Sequence, residues 1–257
     1  MRNAIIRILQ ALVIVAVASS FAHADNFIYF KKKAAAGGGY TEELFYNVDH
    51  TSGDNVAYTV NRTASVAGTF VGPPIVYVGA TTPGTASSDG GDVLGIVNSA
   101  SHRIEFPITG GDIFQTTQGM ISFETYRTGT MQLNDLFGVT GGGGDANNEF
   151  KIYLVDVSGA VGFRYQGNSG NTVVTLSADN VTVNTWHTIT VRWDTVANVT
   201  GIKIDDGSWS AGSGADIVPW ATEPAVAVIG YSYNANGSTP RPVYFDTLKM
   251  WTTYDGS

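Results

Sequence analysis

The chain contains no cysteine. Disulfide staples, thiolate metal sites and thiol nucleophiles are therefore excluded, and stability must come from core packing or a hard metal ion. Positive charge is scarce as well, with 14 Lys and Arg against 22 Asp and Glu. Nucleic acid and anionic lipid both call for basic patches, so neither is an expected partner. Helical periodicity is almost absent after residue 24, which argues against bundles and alternating α/β folds. No later stretch approaches the roughly 20 apolar residues of a membrane helix. The "GGGG" at 141–144 is not followed by a helical pattern, so it is no phosphate cradle.

What the chain does have begins with an export signal. Arg2 and Arg7 precede the apolar run "ILQALVIVAVASS", and Ala22-His23-Ala24 fits the small-x-small cleavage rule. The protein is read as secreted by a bacterial-type route, with residues 1–24 removed and no membrane insertion afterwards. Those residues hold two of the basic groups and none of the acidic ones, so the mature net charge falls from −8 to −10. Residues 25–41 follow as "DNFIYF" and a Gly-rich linker, "KKKAAAGGG". The domain proper is assigned to 42–257.

Within that domain, short β-rich runs recur between Gly, Asn, Asp, Ser and Thr clusters, the pattern of a sandwich or barrel. The clearest are "HRIEFPI", "MISFETYR", "LFGV", "EFKIYLVDV", "AVGFRYQG" and "TVVTLS". A hairpin, "WHTITVRWDTVANVTGIKIDDGSW", and two closing runs, "AVAVIGYSY" and "VYFDTLKMW", complete the series. Alternation puts Ile189, Val191 and Trp193 on one face of the hairpin, toward the core, and Thr188, Thr190 and Arg192 on the other. Trp186 is out of phase with the buried set, and a bulge beside it would restore the phase. Asp194, Asp205 and Asp206 read as turn formers.

The order of five blocks resembles a laminin-G-like domain of the concanavalin A-like lectin and glucanase superfamily, over about residues 42–251. The blocks begin "LFYNVDHTSGDNVAYTVNRTASVAGTFVGPP", "GDVLGIVNSASHRIEFP" and "MISFETYR". "NTWHTITVRWD…GIKIDDGSW" and "AVIGYSY…VYFDTLKMW" follow. The resemblance implies an all-β jelly roll, a β-sandwich of two antiparallel sheets. It also implies a structural calcium where an early strand meets the last, with Asp49, Asp54 and Asp246 at the acidic positions. A competing calcium loop is Asp145, Asn147 and Glu149, alternating at a two-residue spacing, against which stands a plain solvated turn.

The same sandwich carries glucanases and polysaccharide lyases, so the fold does not decide catalysis. The laminarinase-type Glu-x-Asp-x-x-Glu pattern is missing, as are the lyase motifs. In "EFKIYLVDV" the odd separation of Glu149 and Asp156 sets them on opposite faces. His50, His102 and His187 are scattered and read as structural. The expectation is therefore a non-enzymatic module whose partner is a glycan or another cell-surface polymer.

Sugar binding calls for aromatic faces beside amide, hydroxyl or guanidinium donors. "GYSYNANGSTPRP" supplies Tyr231, Tyr233, Asn234 and Arg241, "GFRYQGN" supplies Arg164, Tyr165 and Gln166, and "ETYR" supplies Tyr126 and Arg127. Strands running as in the family would bring these to one concave face, whereas half-buried packing is the alternative for the tyrosines. A second reading is a filament or surface-layer subunit, a homo-oligomer in which "DNFIYF" inserts into a neighbour's sheet edge.

Overall fold

The computed structural model describes residues 42–46, 59–60, 66–67, 69–71, 75–77, 93–96, 103–108, 114–129, 134–141, 149–167, 172–212, 217–220, 224–230 and 243–251. The export signal, the Gly-rich linker and the "DNFIYF" segment lie outside these residues. So do Asp49, Asp54, Asp145, Asn147, Tyr231, Tyr233, Asn234 and Arg241.

The described residues are all-β. Short strands come first: β1 (Glu42–Tyr46), β2 (Thr59–Val60), β3 (Val66–Ala67), β4 (Thr69–Val71), β5 (Ile75–Tyr77), β6 (Val93–Ile96) and β7 (Arg103–Pro107). Longer ones follow: β8 (Gln118–Arg127), β9 (Asn134–Gly141), β10 (Glu149–Leu154), β11 (Ala160–Gln166) and β12 (Thr172–Asn180). The last are β13 (Trp186–Asp194), β14 (Val199–Ile204), β15 (Ser210–Ala211), β16 (Pro224–Gly230) and β17 (Val243–Trp251).

Two antiparallel sheets stack as a β-sandwich. One runs β15-β14-β13-β8-β17-β6-β5, with β1 also paired to β17, and the other runs β12-β11-β10-β9-β16-β7-β4. Strict alternation makes this possible. In β10 the residues Phe150, Ile152 and Leu154 point inward, and in β11 Val161, Phe163 and Tyr165 do the same. Thr175 of β12 and Thr200 of β14 join the two sheets along one side through a buried hydroxyl pair at 2.8 Å.

The core centres on Trp193, which is 1% exposed. Its ring stacks on Phe114 at 5.0 Å and meets the Phe150 ring edge-on at 4.9 Å. Its Nε1 donates to the Gln115 carbonyl at 2.9 Å, so the one polar atom of the indole is satisfied. Gly119 stands opposite Trp193 in the register, and a Cβ there would fall 2.4 Å from the indole. Ile189 and Val191 share this inward face, as the alternation predicts. No bulge adjusts Trp186. The pairing of β13 with β8 is continuous from Trp186↔Tyr126 to Asp194↔Gln118. Trp186 simply lies on the outer face, its ring 5.5 Å from that of Tyr126.

The turns divide into two kinds. Asp194 behaves as predicted, its Oδ1 accepting the Val196 and Ala197 amides at 2.8 Å each. Asp205 does not bond within its own turn. Its carboxylate reaches back to β13, taking the Thr188 amide and the His187 ring at 2.8 Å each.

Candidate binding surface

The outward residues of β10 and β11 form a surface that follows from the same alternation. Glu149, Lys151 and Tyr153 stand across from Gln166, Arg164 and Gly162 respectively. Strand β12 extends the row with Thr172, Val174 and Leu176 beside Gln166, Arg164 and Gly162. Val174 and Leu176 are 40% and 52% exposed, an apolar rim on an edge strand.

Glu149 organises the charges. One oxygen sits 2.8 Å from Lys151 Nζ and the other 2.9 Å from Arg164 Nε. The second contact is a charge pair without aligned hydrogen-bond geometry. Arg164 Nη2 donates weakly to Gln166 Oε1 at 3.4 Å, and about a third of the Arg164 side chain stays exposed. Lys151 Nζ lies 5.4 Å from the centre of the Tyr153 ring. That ring fills the space where residue 162 would carry a Cβ, which would lie 2.6 Å from Tyr153 Cζ, and this explains the glycine. Burial raises the Tyr153 phenol above its ordinary range, with Lys151 and Arg164 opposing, so the hydroxyl stays a neutral donor. A guanidinium, an amide, a phenol and an apolar rim on one face are a chemically suitable set for a hydroxyl-rich ligand.

The other predicted ligand residues are placed elsewhere. Tyr165 has no exposed surface, and its hydroxyl donates to the Thr116 carbonyl at 2.6 Å. Arg127 is 2% exposed and donates to the Ser158 carbonyl at 2.8 Å and the Val157 carbonyl at 3.3 Å. It braces the turn at Gly159, where φ is 95° and a Cβ would strike the guanidinium. Tyr126 is 4% exposed, packed between Trp186 and Tyr244 on the outer face of the other sheet. The expectation of one shared face is thus corrected: Tyr126 and Arg164 belong to different sheets. A buried ring or guanidinium has no face left for a ligand. Tyr153 and Lys151 share this outer face with Arg164 and were not among the predicted residues, although the outward positions of "EFKIYL" carry the signal.

For the implied calcium, Asp246 alone of the three acidic positions is described. It is 1% exposed on β17, which β1 pairs with from Leu248 to Trp251. The pairing of β17 with β8 shifts between Asp246 and Lys249, and Thr247 adopts φ 50°, unusual for a β-branched residue. Asp246 Oδ1 accepts the Thr247 amide at 2.8 Å, and the side chain borders a cavity of about 10 Å³ with Phe123, Phe137 and Phe245. Among the described residues, no three His, Asp or Glu side chains gather as a metal cluster. Glu149 of the competing loop is engaged by Lys151 and Arg164.

No family model matches the chain, and no curated protein matches it. Solved structures do. The binding domain of Paraclostridial Mosquitocidal Protein 1 is 11% identical with a TM-score of 0.58, covering 82% of this chain and 49% of that one. The botulinum neurotoxin serotype D binding domain is 8% identical with a TM-score of 0.57, covering 83% and 48%. The binding domain of botulinum neurotoxin DC in complex with SialylT is 10% identical with a TM-score of 0.54, covering 83% and 48%. The chain spans about half the length of these structures, and the likeness is one of fold.

Proposed function

We propose that this domain is a non-catalytic binding module of an exported protein, holding a glycan or related cell-surface polymer on the outer face of β10–β12. The observation that carries the reading is the row Tyr153, Arg164 and Gln166 beside exposed Val174 and Leu176. The fold neighbours support it: one is a binding domain complexed with SialylT, another concerns neurotoxin interaction with two ganglioside molecules. Arg164 is the central donor, because its planar fork can span two ligand oxygens. The concanavalin A-like assignment belongs to this reading. So does a structural calcium held by Asp246 with Asp49 and Asp54, its carboxylates neutralised by the ion.

The test is a glycan array with the mature protein, in calcium and in EDTA, beside Arg164→Ala. Binding should weaken about tenfold or more in the variant, the loss expected of a central contact. A silent array, or unchanged binding by the variant, overturns the reading. Melting curves on the same samples address calcium: a gain of several degrees, absent in Asp246→Asn, is expected. Identical curves in calcium and EDTA remove the ion from the proposal.

A further inference from the structure

Away from the binding surface, three side chains stand in line: Thr182, His187 and Asp205. Thr182 Oγ1 is 2.8 Å from His187 Nε2, and His187 Nδ1 is 2.8 Å from Asp205 Oδ2. A hydroxyl, an imidazole and a carboxylate at these spacings have the outline of a hydrolytic triad. One further contact speaks against that use. The Thr182 backbone amide donates to the same Nε2 at 3.0 Å. The lone pair that would take a proton from the hydroxyl is already occupied, and by the amide of the would-be nucleophile.

That contact fixes the ring's protonation. Nε2 must be unprotonated to accept an N–H, so the ring proton lies on Nδ1 and is donated to Asp205. Asp205 is held for this, with φ 53° and its Oδ1 taking the Thr188 amide. We propose that His187 is a proton-operated clasp on the strap 181–185 between β12 and β13. When the ring takes a second proton, Nε2–H faces the Thr182 N–H and the two hydrogens cannot share the space. The amide is released, while the Thr182 hydroxyl oxygen accepts the new Nε2–H and keeps the side chain attached.

The neighbours make the change local. The amides on either side are anchored independently of the ring, Val181 to the Gly159 carbonyl and Asn184 to the Arg127 carbonyl, at 2.9 Å each. Charges around the ring come from the turn after β14, where Asp205 contacts it and Asp206 follows. From β12, Asp179 lies against Gly207 of that turn. From β8, uncharged Thr125 stands opposite His187, and Arg127 anchors the strap.

Two measurements on the mature protein test the clasp. Ring 15N shifts of His187 should show the Nδ1–H form at neutral pH. Hydrogen exchange of the Thr182 amide, corrected for its intrinsic pH dependence, should quicken on the order of tenfold between about pH 8 and about pH 5, the scale of one lost hydrogen bond. In His187→Gln, whose carbonyl accepts the amide without titrating, the corrected rate should be flat. The proposal fails if the neutral ring carries its proton on Nε2. It fails equally if the corrected Thr182 rate stays constant while the ring shifts show protonation.

Discussion

Arg164 and Tyr165 are adjacent in β11, and the sandwich gives them opposite environments. Tyr165 points between the sheets, where its ring meets Phe150 at 6.3 Å and its hydroxyl is consumed by a carbonyl. Arg164 points outward, shares Glu149 with Lys151 and keeps about a third of its side chain in solvent. The hairpin strand β13 repeats the contrast. Trp193 is buried against Phe114, Phe150 and Gly119, while the preceding Arg192 lies on the outer face, 4.2 Å from the Trp209 ring. Residue type did not assign these roles. Position relative to the pleat did, because a one-residue step moves a side chain from the interior to the surface.

The largest test of that division compares two tryptophans. Trp193→Ala should cost about 3–5 kcal/mol, since it empties the centre of the core and strands the Gln115 carbonyl. Trp209→Ala removes an outer ring between Arg192 and Lys203 and should cost about 1 kcal/mol. Urea denaturation reads both. Comparable losses would mean that the faces are not distinct in energy.

Next in size is Tyr165→Phe, which should cost about 1–2 kcal/mol by leaving the Thr116 carbonyl without its donor. The variant also has a pH signature. Burial pushes the Tyr165 phenol far above its ordinary range, so the folded state holds this proton more tightly than the unfolded chain does. The contribution to stability is then fully present below about pH 10, the ordinary phenol value, and is lost as pH rises above it. Wild type should lose stability in alkaline solution more steeply than Tyr165→Phe. Parallel alkaline profiles would show that the phenol is not confined as its burial implies.

Alternation explains why the β-sandwich was legible in advance. "EFKIYL", "ITVRW" and the closing "VYFDTLKMW" each announce a strand with one apolar face, and the inward set in the hairpin was correct to the residue. The candidate surface was less legible, because "FRYQ" and "ETYR" state which residues alternate without stating which sheet they join. Tyr126 and Arg164 separated for that reason. Arg127 looked like a ligand donor because the chain does not reveal that the carbonyls of a distant turn, Val157 and Ser158, converge on it. Asp205 likewise looked like a simple turn former, its cross-strand bond to His187 arising only when the turn after β14 lies against the start of β13.

The smallest expected effect is the most pointed. Arg164→Ala should change stability by no more than about 0.5 kcal/mol, because about a third of its side chain lies in solvent and its contact with Glu149 is a charge pair without aligned hydrogen-bond geometry. Glu149 would still hold Lys151 at 2.8 Å, so no carboxylate is left stranded. What little is lost should shrink further as salt is raised, since surface charge pairs are screened within about 10 Å at 0.1 M. Arg127 gives the counterexample: its guanidinium is buried on two carbonyls, and its loss would leave them without donors. Should Arg164→Ala cost as much as about 2 kcal/mol in urea denaturation, Arg164 would be a brace of the same kind. Its donors would then serve the fold rather than a ligand, and the outer face of β10–β12 would lose its central contact.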